Sequence, residues 1–477
     1  MTSAIALNEI RLLTRNGPAL ALAVLLTGLM VAAALASVQR TTAFEAEHMA
    51  AEKMDRTVWD GQGARNPHSA AHFARYAFKP VPSLSAFDPG IVDHAGIAIW
   101  MEAHYRDPAL FRRAEDTAQG LGLAALTPAW VLQSVGPLVI ILLLFSTIAG
   151  EREDGTLRQL VASGVAAPAI ISGKLLGGMA AMLLVLAPAL GVGVLITAGA
   201  GHETSVSDFS VRLIGLVALY TVYFIIMGLI AVGVSALVKT RRDAFLTLIA
   251  IWAAMVIVMP VLSAGMAGTI FKQQGTEDIQ RQLSAASSAY WEDSDKQDAD
   301  KAELMARYGV SDVKDMPVNW EAYQLQKSEE DANPLFDAIY GELDTVHARQ
   351  ETLMSATALM SPTVAVAFLS SGLAGTDRIH HVAYAAAAEG HRRDMVKQLN
   401  EDMFNNAGEA GYRYTADRAL WTAVEDFAHI PPRFTDVASR YIPSLLIIAL
   451  YLAGGFAFAY GSIARARKTI AVSGAAR

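Results

Sequence analysis

The chain contains no cysteine, and charged residues make up only 18% of it. Without cysteine, disulfides stabilise no part of the fold and thiolates hold no metal ion. Hydrophobic residues account for 53% of the chain, which is too apolar for an ordinary soluble protein. We therefore expect the apolar residues to collect in membrane-spanning segments, separate from the water-exposed parts.

A nucleotide-binding loop is also missing. The pattern Gly-x4-Gly-Lys-Ser/Thr, whose backbone amides surround phosphate groups, does not occur. The nearest string, Gly173-Lys174-Leu175, lacks both the earlier glycine and the hydroxyl that would hold magnesium. No pattern of an activated nucleophile with its base stands out either. We expect no catalytic residue and no cofactor on this chain, and any ATP and magnesium belong to a partner.

Six long apolar stretches are present. A bilayer core about 30 Å thick needs roughly 20 helical residues, and six segments reach that length. The predicted class is an all-α polytopic membrane protein with six transmembrane helices. The apolar stretches cover residues 18–38, 128–149, 169–198, 213–238, 244–271 and 441–463.

Basic residues near these stretches predict their orientation. They cluster in short segments that the positive-inside rule assigns to the cytoplasm, so both termini are expected inside a bacterial inner membrane. The clustered residues are Arg11, Arg15, Arg152, Arg158, Lys239, Arg241, Arg242, Arg465, Arg467 and Lys468. The two long hydrophilic inserts then lie outside, and their combined charge of −14 within a total of −8 makes nucleic acid an unsuitable partner.

The predicted organisation alternates membrane and aqueous parts. Both inserts are expected to be helix-rich, the first with helices joined by proline turns, and to fold together into one unit. Helix-forming composition marks 277–308, 335–358 and 380–406 in the second insert. In chain order we predict a cytoplasmic amphipathic helix (1–17), transmembrane helix 1 (18–38), periplasmic insert 1 (39–127), transmembrane helices 2–5 (128–271) with a loop at 150–168, periplasmic insert 2 (272–440), transmembrane helix 6 (441–463) and a basic cytoplasmic tail (464–477).

The segment 356–374 is moderately apolar and long enough to be counted as a seventh crossing. A seventh crossing would place the basic tail outside, and the segment contains several serines and Pro362. We predict a helix in a domain core or on the membrane surface, with a re-entrant element as the alternative.

The loop between the second and third apolar stretches carries the most distinctive motif, Gly150-Glu151-Arg152-Glu153-Asp154-Gly155-Thr156-Leu157, followed by Ser172-Gly173-Lys174-Leu175. It resembles the coupling-helix region of type-2 ABC exporter permeases, in which an acidic Gly-Thr-Leu element follows the second span and Gly-Lys-Leu begins the third. An ordinary charged turn between membrane helices is the alternative interpretation.

A second resemblance lies in the inserts. The segments 66–80, 87–90 and 100–104, together with Ser361-Pro362, residues 373–377 and His380-His381, are similar to the inserts of a subfamily of these permeases. That subfamily carries large periplasmic domains of unassigned function, and its members are often labelled as permeases for multicopper-enzyme maturation. The resemblance implies a permease that forms a dimer, either with a second copy of itself or with a related permease. Two copies of an ABC ATPase would complete the complex.

The coupling resemblance assigns roles within the loop. Glu151, Arg152, Glu153, Asp154, Gly155, Thr156 and Leu157 are the predicted ATPase-coupling residues. Glu151 and Glu153 are expected to contact the ATPase, Gly155 to permit a bend, and Thr156 to cap the helix that follows.

Histidines in the first insert are candidate metal ligands. His68 and His72 are four residues apart and would share a helix face, with Glu102 and His104 available as further ligands if the fold brings them near. A His-x3-His pair without further motif is weak evidence, so the sequence alone favours no metal site. Phe73, Tyr76, Phe78 and Trp100 are interpreted as core aromatics rather than as a ligand-binding surface.

A rival function also fits the composition. A membrane sensor or assembly scaffold, with acidic inserts that bind a periplasmic protein, would need the same six helices and no ATPase. A permease linked to metal-enzyme maturation is a further alternative. The identity of a cargo and the direction of its movement do not follow from the residues.

Overall fold

A computed structural model describes residues 1–15, 17–112, 126–199 and 206–475. The structure is 78% helical. The helices are α1 (Thr2–Thr14), α2 (Gly17–Asp60), α3 (Pro67–Phe73), α4 (Pro128–Trp130), α5 (Gly136–Leu144), α6 (Ala149–Glu153), α7 (Thr156–Ala162), α8 (Ala167–Ala198), α9 (Val206–Leu237), α10 (Arg241–Trp252), α11 (Met259–Ile270), α12 (Thr276–Glu292), α13 (Ser294–Tyr308), α14 (Trp320–Thr357), α15 (Pro362–Ala374), α16 (Arg378–Asn406), α17 (Arg418–Ala423), α18 (Phe434–Val437) and α19 (Ile442–Ala475).

The described residues include six helical segments that are long and apolar enough to cross a membrane, which confirms the predicted number. They are Gly17–Asp60, Pro128–Glu153, Ala167–Ala198, Val206–Leu237, Arg241–Ile270 and Phe434–Ile470. Two of them contain a π-helical turn, Val131–Val135 and Ala253–Val258. Each turn ends two residues before a proline, Pro137 or Pro260, which has no N–H to donate to the preceding turn of helix.

The first apolar helix is longer than the predicted span. Its apolar part ends near Val38, but α2 continues to Asp60. Between these residues the chain has neither proline nor glycine and is rich in alanine, glutamate and methionine, which favour helix. The limit of the apolar run is therefore not the limit of the helix, and α2 extends out of the bundle into the first insert.

The bundle has two distinct ends. At one end, which we call the loop end, α1, α6, α7, the turn before Arg241 and the start of α8 lie together. At the other, the insert end, the two predicted inserts pack on each other through a buried cluster that contains Trp59, Tyr384 and Trp421. Described residues of both predicted inserts therefore share a core; residues 113–125 of the first insert lie outside the described residues.

The first insert contains strands that the sequence did not predict. β1 (Arg75–Phe78) pairs antiparallel with β2 (Ala98–Met101), so Tyr76 faces Trp100 across the pair. Each strand has four residues. Such short strands show too little alternation to be recognised by periodicity, and the intervening turns conceal their pairing. The prediction of helices joined by turns was therefore wrong for this part of the insert.

The second insert is helical where its composition predicts helices. The predicted stretch 277–308 forms α12 and α13, separated at Asp293, and 380–406 lies within α16. The stretch 335–358 belongs to α14, which begins earlier, at Trp320. α14 packs against α12 and α16 and forms the long axis of the second insert.

The segment 356–374 does not cross the bundle. It forms α15, a 13-residue helix that is buried almost throughout and shares the core of the span helices. Tyr220 and Tyr223 of α9 bond Ser370 and Thr363 of α15 at 2.9 and 3.0 Å. At its C-terminal end, Arg212 of α9 donates to the carbonyls of Gly372 and Leu373 at 3.2 Å. α15 is thus a short core helix that packs against α9 and α19.

Candidate functional site

The loop between the second and third spans consists of two short helices with a sharp bend. α6 ends at Glu153 and α7 begins at Thr156. Gly155 between them has φ of 78°, a left-handed conformation that glycine adopts at no steric cost. A Cβ at this position would meet no atom within 4 Å, so the backbone angle rather than space requires glycine. Gly155 provides the bend that the sequence predicts.

Thr156 does not cap α7, which corrects the sequence expectation. The N-cap position belongs to Gly155, and no side chain caps the helix. The Thr156 hydroxyl instead donates to the carbonyl of Glu151 at 3.3 Å. This bond ties the first turn of α7 back to α6 and closes the bend.

Glu151 faces inward, where it takes part in a buried three-residue ion cluster. Lys174 of α8 donates to the carboxylates of both Glu151 and Glu9 of α1. The Lys174 side chain is 2% exposed, so it does not reach the interface as a lysine near a helix end often does. A buried ammonium requires compensating charge, and the two carboxylates supply it from different elements.

Close backbone packing brings Glu9 to this cluster. Gly173 and Gly177 lie one turn apart on α8 and face α1. A Cβ at Gly173 would stand 2.7 Å from Cβ of Ile5, and one at Gly177 would stand 2.6 Å from Cβ of Glu9. The two glycines therefore let α1 lie directly on α8, which holds Glu9 within reach of Lys174.

Two arginines join the loop to the fourth and fifth spans. Arg152 donates to the carbonyl of Ala236, at 2.7 Å, in the last turn of α9, and to the carbonyl of Val238 just beyond that helix. Arg241, the first residue of α10, pairs with Glu153 at 3.3 Å and with Asp154. These two arginines therefore connect the loop to the end of α9 and the start of α10.

The seven predicted coupling residues differ in exposure. Glu151, Arg152 and Leu157 face the protein, and Leu157 lies in the core of the span helices. Glu153 and Asp154 are about half exposed, at 45% and 53%, although both pair with Arg241. The outer face of the loop also presents residues outside the predicted set: Arg158, Gln159, Ala162, Ser163 and Gly164.

Sequence reasoning missed Glu9, Lys174 and Arg241 as parts of this site. A lysine inside an apolar run was the available signal, because such a charge needs a partner of opposite sign. The identity of the partner carboxylate depends on how α1 packs on α8, which is a property of the tertiary structure. Ser235 was also missed; its hydroxyl accepts from the amides of Ile148 and Ala149 where α6 begins.

At the insert end, the structure brings together the three candidate histidines, and the fourth candidate, Glu102, is not part of their group. His68 Nε2 lies 3.2 Å from His72 Nε2 and 3.3 Å from His104 Nε2. Burial and the two neighbouring rings lower the pKa of His68 to about 3, so its imidazole is neutral at neutral pH. Burial would raise the pKa of the adjacent Glu329, but hydrogen bonding by His104 and the charge of Arg392 lower it to about 2.

The aromatics of the first insert line a groove rather than filling a core. Phe73, Tyr76, Phe78 and Trp100 are all partly exposed, and with residues of α2 they form its walls. The paired histidines of the second insert separate: His380 Nδ1 lies 2.5 Å from Asp377, whereas His381 Nδ1 lies 3.5 Å from Lys79. Neither belongs to the three-histidine cluster.

Residues 272–430 match the profile of a family described as "Domain of unknown function (DUF3526)". The match covers a third of the chain and lies within the predicted second insert, from the start of that insert to the segment before α18. No curated protein matches the chain.

Proposed function

We propose that this chain is the transmembrane permease subunit of an ATP-binding-cassette transporter of the type-2 exporter class, driven by ATPase subunits on separate chains. The observation that carries the proposal is the construction of the loop from α6 to α7. Its residues are bonded to three spans, and Lys174 connects it to α1, while its outer side is polar and exposed. A rigid surface element with these attachments suits the transmission of a partner's movement to the spans.

The ion cluster gives this transmission a physical route. A push on α7 moves Glu151 and thereby Lys174 of the third span and Glu9 of α1. The same displacement acts on the fourth span through Arg152 and on the fifth through Arg241. Because charged hydrogen bonds are short and directional, the loop and these helices are expected to tilt together rather than slide.

The proposed orientation follows from charge. Arg152, Arg158, Arg241 and Arg242 lie at the loop end, which the positive-inside rule assigns to the cytoplasm. The acidic inserts then lie in the periplasm of a bacterial inner-membrane protein, with both termini cytoplasmic. There they would receive or release the cargo.

A second permease, either another copy or a related chain, completes the proposed assembly. In the fifth span, Arg241–Ile270, only 11% of the most apolar window is buried, against 50% in the fourth. A helix that is apolar on all sides faces lipid or another membrane protein. We propose that a second permease covers part of this exposed apolar surface and that lipid covers the rest.

The test is purification of the tagged full chain in mild detergent, with identification of co-purifying proteins and an ATPase assay. We expect an ATPase with a phosphate-binding loop to co-purify. The double variant Arg158→Glu/Gln159→Ala, which changes only exposed side chains of α7, should lose it while keeping wild-type thermal stability. Arg281→Glu, an equivalent charge reversal on exposed α12, is the matched control and should retain the ATPase.

The two glutamates of the loop predict a different result. Replacing Glu151 and Glu153 by alanine should lower ATPase-coupled activity because Lys174 loses one of its two carboxylates. Wild-type coupled activity in this double variant would refute the assignment of the loop. A clean preparation without any ATPase, under conditions that preserve known membrane complexes, would favour the sensor or scaffold function.

A further inference from the structure

Three histidines from two separate segments converge at the insert end. His68 and His72 stand one turn apart on α3, whose start is set by Pro67 and by Asn66, which accepts from two amides of the first turn. His104 follows β2 and approaches from the opposite side. One ligand nitrogen from each ring lies within 4.8 Å of the other two.

The nitrogen separations fit one bound ion. Two nitrogens that bind Zn²⁺ tetrahedrally at about 2.0–2.1 Å are roughly 3.3 Å apart. The separations of His68 Nε2 from the other two Nε2 atoms are 3.2 and 3.3 Å. Packing of neutral rings gives a poorer account of this arrangement. A single imidazole nitrogen has either one proton or one lone pair, so His68 Nε2 can satisfy only one of its two nitrogen neighbours.

Groups behind the rings orient them toward a common centre. His104 Nδ1 lies 3.0 Å from a carboxylate oxygen of Glu329, and His68 Nδ1 lies 3.4 Å from the amide oxygen of Asn400. The oxygen acceptor at His68 Nδ1 favours the tautomer with its proton there, which leaves His68 Nε2 free to bind a metal. The Glu329 carboxylate lies beside His104 Nδ1 without a hydrogen bond to it. Arg392 in turn holds Glu329 at 3.0 Å, and both side chains are at most 4% exposed.

The backbone of His104 has an unusual conformation. His104 has φ of 68°, which is uncommon for a residue with a side chain. Its backbone amide donates to the same Glu329 that faces its ring, and this bond holds the unusual conformation. Strain of this kind persists only where the surroundings enforce it, and it concentrates at functional sites.

Burial is graded across the cluster. His68 is buried, His104 is partly buried and His72 is exposed. An ion at the centre would therefore have protein on one side and solvent on the other. Three protein ligands with one open position are the arrangement of reactive or exchangeable zinc sites, whereas structural sites have four.

We propose that His68, His72 and His104 form a binding site for one borderline divalent transition-metal ion, of which Zn²⁺ is the representative, with a fourth coordination position open to solvent. Imidazole nitrogens select Zn²⁺ and its neighbours over Mg²⁺ and Ca²⁺, which prefer oxygen ligands. The site is independent of the proposed transport function, because it needs neither an ATPase nor a cargo.

The test is titration of the chelator-treated, full-length chain in detergent with Zn²⁺, in competition with a chromogenic chelator. We expect one Zn²⁺ per chain and a rise in the unfolding temperature on binding. His72→Gln should weaken binding by about 100-fold or more, and Glu329→Gln by about 10- to 100-fold. His94→Gln, an exposed histidine of the same insert outside the cluster, is the matched control and should bind like the wild type.

Two results would overturn the proposal. One is the lack of stoichiometric Zn²⁺ binding to the folded wild-type chain; the other is equal affinity in the His72→Gln and His94→Gln variants. His72 is exposed, so its substitution is expected to leave the fold intact. Co²⁺ absorption of the wild-type chain gives an independent readout: intense bands of a four-coordinate ion support the site, and a six-coordinate spectrum contradicts it.

Discussion

At the residue scale, the buried charges at the loop end show how one side chain connects distant elements. Lys174 is 2% exposed and Glu9 is 4% exposed, so each depends on the other for the electrostatic stabilisation that water would otherwise give. Glu151, at 18%, lies toward the surface and adds the second carboxylate. The Lys174–Glu9 pair is therefore buried within the protein, whereas the Lys174–Glu151 pair joins it to the exposed loop.

Removing the ammonium should be costly. Lys174→Met leaves two carboxylates facing each other near the protein interior, and we expect a loss of about 3 kcal/mol in the free energy of unfolding. Thermal unfolding in detergent measures it. The triple variant with Glu9→Gln and Glu151→Gln should recover a large part of the loss because no charge remains unpaired. Equal stability of Lys174→Met and wild type would contradict the buried cluster.

A second residue-scale property is acid sensitivity at the insert end. Burial, with the nearby charges of Lys79 and His347, lowers the pKa of His381 to about 4 from 6.5. Between these values the unfolded chain binds the proton and the folded chain does not, so stability is complete above pH 6.5 and falls as the pH decreases toward 4. The expected loss from this residue between pH 7 and pH 5 is about 1–2 kcal/mol.

The pH dependence of the unfolding temperature measures this contribution. His381→Gln should flatten the decline between pH 7 and pH 5, whereas His94→Gln should keep the wild-type slope. An unchanged slope in His381→Gln would mean that His381 does not contribute. Burial likewise lowers the pKa of His391 and His429, so a residual slope is expected in the variant.

At the element scale, the contact of α1 with α8 depends on two glycines. The space between the helices at Gly173 and Gly177 has no room for a Cβ without movement of α1. The same spacing of small residues lets membrane helices approach closely. Through this contact α1, which the sequence predicts to be a surface helix, becomes a packed part of the bundle.

Gly177→Leu should displace α1 from α8. The side chain would overlap Glu9 and the backbone of Ala6, so we expect the N-terminal helix to detach and the Glu9–Lys174 pair to break. Since the chain has no cysteine, a single Ile5→Cys reports the change as faster labelling by a maleimide. Gly191→Leu is the control, because that glycine of α8 has nothing within 4 Å of its Cβ position. Equal labelling rates in the two variants would contradict the packing.

At the scale of the whole molecule, the two inserts depend on each other. The Trp59 indole donates to the carbonyl of Trp421 at 2.9 Å, and Arg65 pairs with Ala416 by a short antiparallel bridge. Tyr384 donates to the carbonyl of Ala77 at 2.7 Å. The region that matches the family of unknown function therefore shares its core with a segment more than 300 residues earlier in the chain.

Trp59→Ala should destabilise the second insert as well as the first. Removal of this fully buried ring leaves a cavity beside Trp421, and the expected cost is about 3–5 kcal/mol. Limited proteolysis measures the coupling as faster cleavage around α17. The control is Trp291→Ala, a tryptophan of the second insert that is 42% exposed. Protection of α17 that does not change in Trp59→Ala would show that the inserts are independent.

The six long apolar helices and most helices of the second insert could be predicted from the sequence. Apolar length and helix propensity are local properties, and each acts within some 20 residues of chain. Helix α16 and the bend at Gly155 could be predicted for this reason. The strands β1 and β2 could not, because four residues carry too little pattern and their pairing is not local.

The contacts between polar groups that are distant in the sequence could not be predicted, because they depend on how the elements pack. His104 is 36 residues from His68 along the chain, and Glu9 is 165 residues from Lys174, yet each pair is in contact. The first contact depends on the packing of α3 beside the turn after β2, and the second on the packing of α1 on α8. Composition and residue spacing do not predict either packing arrangement. The residue types limit the chemistry that is possible, and packing selects the sites at which that chemistry is assembled.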